Sequence, residues 1–206
     1  YDNFLDGQGN GTFVREFLDN VLTAGGGACF DIMNFHYYPV FDWSTYGAGL
    51  IGKTNYLRQK LQTYGLSKPM MITEAGWTSA DYLAGQGTPE IQCRYVVKFF
   101  TQAMAADLEA LTWWTWIDPA NESYGKFGLL DSLLETKTSY SAYKVAEEKL
   151  GLATFADILS LETGVEGYHF TSRYAKPLYV LWATDGATHT VSLPVSTASV
   201  VSMYGN

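Results

Sequence analysis

The chain has 206 residues, with 13 Lys plus Arg against 21 Asp plus Glu, a net charge of −8. It is 47% hydrophobic and 17% charged, too apolar for a disordered chain, and it has no run of about 18 apolar residues to form a transmembrane helix. The cations are scattered, which excludes the clustered basic patch that nucleic acid or an anionic lipid surface needs.

The first predicted element is a helix capped by Thr12. Phe13, Val14, Phe17, Leu18, Val21 and Leu22 recur at helical spacing, and Gly25, Gly26 and Gly27 stop it. An aromatic run over residues 30–38, bounded by Pro39, reads as a buried strand. A helix over 53–64 closes at Gly65, and residues 69–74 read as a second buried strand. Thr88 and Pro89 open a long helix to about Leu108, with proline at its favoured first position. Residues 111–117 give a third strand and 140–150 a further helix, ended by Gly151. Alternating helices and strands predict parallel pairing.

Beyond Gly151 the texture changes. Residues 168–173, 178–183, 190–195 and 200–204 read as short strands, with a hairpin turn at Asp185-Gly186. The expected division is therefore 1–153 for an α/β unit and 154–206 for a small antiparallel β unit. Cys29 and Cys93 show no metal or redox spacing and are expected to be two buried thiols. The chain begins at Tyr1 without a leader, which suggests a fragment or a processed product.

Three strand ends hold the candidate chemistry. Glu74 ends the second strand and precedes Ala75-Gly76-Trp77. A carboxylate at the carboxyl end of a parallel strand suits a nucleophile or a general acid/base; capping of the next loop is the structural alternative. Asn34, His36 and Tyr38 share one face of the first strand, and such polar groups need partners if buried. Trp114 and Trp116 share a face of the third strand, where Trp116 could floor a sugar ring or simply pack. Asp118, Asn121 and Glu122 read as solvated loop residues. Gly7-Gln-Gly9-Asn-Gly11 has no strand before it, so it is not a dinucleotide fingerprint. His169 and His189 lack metal-ligand spacing, and no Ser nucleophile elbow is present. No cofactor or metal is expected.

Residues 30–39, Lys68-Pro-Met-Met-Ile-Thr-Glu-Ala-Gly-Trp77 and Leu111-Thr-Trp-Trp-Thr-Trp-Ile-Asp118 together resemble the sixth, seventh and eighth strands of clan A retaining glycoside hydrolases, nearest to family 39. Phe127-Gly-Leu-Leu-Asp131 resembles the barrel ending of that clan, and the β region its accessory β-sandwich. The resemblance implies a partial (β/α)8 barrel, roughly strands 6–8. It implies Glu74 as catalytic nucleophile, His36, Tyr38, Trp77 and Trp116 as substrate-binding residues, and a β-glycoside as substrate. It is compatible with an extracellular location.

In that clan the general acid/base follows an Asn at the end of the fourth strand, a position with no counterpart here. Asn121-Glu122 comes after the eighth-like strand, in the wrong order. A closed barrel has eight strands and typically about 250 residues. The expected function is therefore a retaining β-glycoside hydrolase fragment, weak or inactive alone. The alternatives are a catalytically incomplete carbohydrate-binding or self-assembling half-barrel module, and a free-standing small α/β domain. Three parallel strands leave open edges, so pairing with a second copy or with a complementary barrel half is expected.

Overall fold

The computed structural model describes residues 17–39, 49–80, 87–120 and 125–206. Helix α1 spans Phe17–Thr23 and is followed by a 3-10 turn at Gly26–Cys29. The expected cap and first turn, Thr12, Phe13 and Val14, lie outside the described residues. Strand β1 (Met33–Tyr37), helix α2 (Gly49–Thr63), strand β2 (Met70–Ala75), helix α3 (Pro89–Ala105), strand β3 (Ala110–Trp113) and helix α4 (Thr138–Leu150) follow.

Helix α3 shows how locally this order is written. Thr88 Oγ1 accepts from the Ile91 amide at 3.1 Å, and Pro89 occupies the first helical turn. Val96, Phe99 and Ala103 fall on the buried face. Asp107, at φ 56°, takes the left-handed conformation just beyond the helix, and Leu108 N–H then bonds back to Ala103 O at 3.1 Å.

The three strands form a parallel sheet in the order β1-β2-β3. Ile72 and Ala75 of β2 are buried with Val96, Phe99 and Trp113 in a core under the helices, and Met70 is buried as well. On the other face Asn34, His36 and Thr112 are exposed and Met71, Thr73 and Glu74 half-buried. The predicted third strand is shorter than its reading, because regular pairing ends at Trp113. Ile117 makes only an isolated bridge to Leu130.

A second, antiparallel sheet has the order β4-β5-β6, from Thr154–Ile158, Val165–Thr171 and Pro177–Ala183. Two expectations are corrected here. Residues 190–195 and 200–204 form no strands. Pro194 lacks an N–H for a ladder, and Met203 instead packs against the core of the parallel unit. Asp185-Gly186 does turn, with Gly186 at φ 76°, but leads into an irregular segment rather than a hairpin partner. The third strand is β4, which carries no alternating apolar signal because only Phe155 is drawn inward.

Tyr168 and Phe170 of β5 pack on Ala146 and Leu150 of α4, with Phe100 and Met104 of α3 against them. Glu166 reinforces this junction. Its carboxylate accepts from Gln102 Nε2 of α3 at 2.9 Å, from Trp182 Nε1 at 3.0 Å, and from the Tyr168 hydroxyl. The cysteines are both free. Cys93 is buried, and burial pushes its thiol up to about 11, but Cys29 is exposed, contrary to expectation.

Candidate functional site

Strict alternation along β2 would place Glu74 on the same side as Met70 and Ile72, among the helices. The register shows why it is not there. Phe35 pairs with Ile72 but His36 pairs with Glu74, so β2 carries one more residue than β1. On its other edge Ile72 pairs with Leu111 and Ala75 with Trp113, again one residue in excess. This bulge sets Thr73 and Glu74 on the same, open face and returns Ala75 to the core, as their burial shows.

Three of the predicted residues meet there. The Tyr38 hydroxyl donates to Glu74 Oε2 at 2.9 Å, and His36 Nδ1 lies 3.3 Å from the same oxygen. Both fall on Oε2, and Oε1 takes neither. Glu74 and His36 keep 38% and 49% of their side-chain surface exposed, so a ligand can reach them. Burial, and then the hydrogen bond to Glu74, push the Tyr38 phenol well above the ordinary tyrosine range, so it stays a donor to the carboxylate. Asn34, also on this face, accepts at Oδ1 from the Thr73 hydroxyl at 2.8 Å, tying β1 to the bulge.

The two predicted tryptophans have different surroundings. Trp77 is buried, 6% exposed, and stacks on Tyr95 of α3 at 3.8 Å and 8° between planes. It is a core residue. Trp116 is 48% exposed, and its ring meets Tyr140 and Tyr143 of α4 edge-on. Among the described residues, the tryptophan whose ring meets Tyr38 is Trp114, with its centroid 6.1 Å from that of Tyr38 and 5.5 Å from that of Phe127. Regular alternation could not separate Trp114 from Trp116, because β3 ends before either. Gly76 lets this wall close, since a Cβ there would stand 2.3 Å from Trp114 O and 3.1 Å from the Phe127 ring.

Asp118 is not a solvated loop residue. It is 5% exposed, accepts from Gly128 N–H at 2.6 Å through Oδ1, and pairs with Lys137 Nζ at 2.9 Å through Oδ2. Asn121 and Glu122 lie outside the described residues. Among the described residues no group of three or more His, Cys, Asp or Glu side chains is arranged to hold a metal ion. No helix of the described residues is long and apolar enough to cross a membrane.

No protein-family model matches the chain. No curated protein matches it. Solved structures do. The chain is similar to a family 39 glycoside hydrolase from the gut symbiont Bacteroides cellulosilyticus WH2, with a TM-score of 0.68 at 21% identity over 88% of this chain and 40% of that one. It thus spans well under half the length of that enzyme. A β-glucuronidase 2 calcium-binding mutant from Bacteroides uniformis aligns at TM-score 0.46 and 18% identity over 87% of this chain and 24% of the other. A glycoside hydrolase family 17 β-1,3-glucanosyltransferase from Rhizomucor miehei aligns at TM-score 0.44 and 16% identity, over 59% and 53% of the two chains. The first of these likenesses carries the fold: a mixed α/β, glycosidase-like architecture with one parallel and one antiparallel three-stranded sheet.

Proposed function

We propose that this chain is part of a retaining β-glycoside hydrolase and that Glu74 is its nucleophile. The reading rests above all on the bulge of β2, which sets Glu74 on the open face of the sheet with Tyr38 and His36 on one of its oxygens. In this reading the parallel sheet corresponds to roughly strands 6–8 of a (β/α)8 barrel, within residues 1–153. Residues 154–206 form the accessory β unit. The open face of the sheet is then the lumen side.

The chemistry follows from that placement. Glu74 Oε1 attacks the anomeric carbon and the glycosidic C–O bond breaks. The leaving oxygen takes a proton from a second carboxylic acid, and water later hydrolyses the glycosyl ester. Retaining hydrolysis needs the two carboxyl groups about 5–5.5 Å apart. We assign the acid to strands outside the three seen here, so hydrolysis of unactivated glycosides by this chain alone is weak or nil. Tyr38 and His36 hold the nucleophile's other oxygen, and Trp114 takes the platform role for which sequence reasoning named Trp116.

Activated 2-fluoro-glycosides test this directly, because a good leaving group needs no acid. Intact mass is expected to show one added sugar on the wild-type chain and none on Glu74→Gln. Absence of an adduct with every sugar offered overturns the reading. Among the described residues, the half-exposed sheet face and the unpaired outer edges of β1 and β3 favour a second reading, a half-barrel that assembles with a second copy or with a complementary segment. The proposed partners are accordingly a β-glycoside and another barrel portion.

A further inference from the structure

Two loops beside Glu74 are gathered by one buried side chain. Gln92 lies one turn into α3 and has no exposed surface. Its Nε2 donates to three backbone carbonyls: Trp77 at 2.9 Å, Lys126 at 3.1 Å and Gly128 at 3.2 Å. Trp77 belongs to the segment leaving β2, whereas Lys126 and Gly128 belong to the segment that returns after β3. The Lys126 carbonyl also accepts from Ser79 N–H at 2.9 Å, from Ser79 Oγ at 3.1 Å and from Lys137 Nζ at 3.1 Å. The two segments are therefore clipped to each other and to α3 at one point.

The residue between two of those acceptors is Phe127. Its carbonyl accepts from Trp113 Nε1 at 3.0 Å. Its ring meets the Tyr38 ring edge-on, with centroids 5.9 Å apart, and Tyr38 holds Glu74 Oε2. An unbroken path of contacts thus runs from the Gln92 amide through the Phe127 backbone and ring to Tyr38 and the carboxylate. A primary amide suits this node because it offers two N–H donors without charge, one of them shared between two of the three carbonyls. A lysine there would bring a second buried cation beside Lys137, which burial already holds below the ordinary lysine range. The arrangement has a visible cost, since Gln92 Oε1 is buried without a hydrogen-bond partner among the described residues.

We propose that Gln92 is a positioning residue for Glu74, acting through Phe127 and Tyr38. Its consequence for chemistry rests on the reading of Glu74 as nucleophile; its hold on Phe127 does not. The test uses the full chain carrying Gln92→Leu, with Gln92→Met as a second variant in case the first does not fold. Two indole N–H groups report separately. Trp113 Nε1–H bonds to Phe127 O, and Trp182 Nε1–H bonds to Glu166 in the other sheet.

Hydrogen exchange at the Trp113 indole is expected to accelerate about 10-fold or more, with Trp182 within about twofold of wild type. Capture of an activated 2-fluoro-glycoside at Glu74 should slow about 10-fold in the same variant. Equal acceleration at both indoles would mark Gln92 as a general stability residue and overturn the proposal. So would unchanged exchange at Trp113, or faster exchange with unchanged capture. If the wild-type chain captures no sugar, the nucleophile reading fails, while the indole pair still decides whether Gln92 holds Phe127.

Discussion

Glu74 Oε2 is held by two side chains, His36 of β1 and Tyr38 just beyond its end, and their contributions are separable. Tyr38→Phe removes a donor to a half-exposed carboxylate and leaves the ring that packs on Trp114 and Phe127. A hydrogen bond to a charged group contributes about 1.5–3 kcal/mol, so capture of a 2-fluoro-glycoside at Glu74 should slow by about 10-fold or more with little loss of melting temperature. An unchanged capture rate would show that the bond does not orient the nucleophile. At this scale the sequence was informative where alternation held. Asn34, His36 and Tyr38 share a face because residues two apart in a strand do. It was uninformative for Trp77 and Trp116. The stacking of Trp77 on Tyr95 and the contact of Trp116 with α4 depend on neighbours distant in sequence, and no residue pattern announces them. Gln92 was invisible for the same reason, since its acceptors are backbone atoms of two other segments.

Elements with local signals were legible, and those without were not. Helix α3 announces itself through Thr88, Pro89 and its periodic apolar face, and β2 through its continuous apolar run. Strand β4 has one inward side chain and gave no signal, whereas residues 190–206 have apolar residues in plenty and form no ladder. Their irregular path is fastened at His189, a feature open to a pH test. His189 Nε2 lies 2.9 Å from Asp185 Oδ1 and Nδ1 lies 3.1 Å from Glu162 Oε1. The bond to Asp185, then that to Glu162, raise the imidazole above its ordinary value against some desolvation. A raised folded-state value means that the stabilisation is fully present below about pH 6.5 and is lost as pH rises through the folded value. The difference in melting temperature between wild type and His189→Gln should therefore be larger at about pH 5.5 than at about pH 8.5. A difference independent of pH would exclude a charged His189 as the fastening.

The molecule as a whole is built from two sheets that do not share a strand yet share a core. Ile51 and Phe100 pack against both buried clusters, and Glu166 joins β5 and β6 to α3. The proposed division near residue 153 is thus one of architecture, and calorimetry should show a single transition with equal calorimetric and van't Hoff enthalpies. Two resolved transitions would make the units independent. Among the described residues, the parallel sheet has β1 and β3 as its outer strands and a partly exposed polar face, so light scattering at micromolar concentration is expected to find more than a monomer. A monodisperse monomer would count against edge pairing. The extra residue in β2 also limits how the chain can change in length. Deleting Thr73 would restore simple alternation with Glu74 still on the open face and Ala75 still in the core. Deleting Met71 instead, with Ala75 kept in the core, would turn Ile72 out to the open face and Thr73 in among Val96, Phe99 and Trp113. A one-codon deletion at Thr73 should therefore be much less damaging than one at Met71, so in a deletion scan the bulge would appear as a tolerated position in the middle of an otherwise intolerant strand.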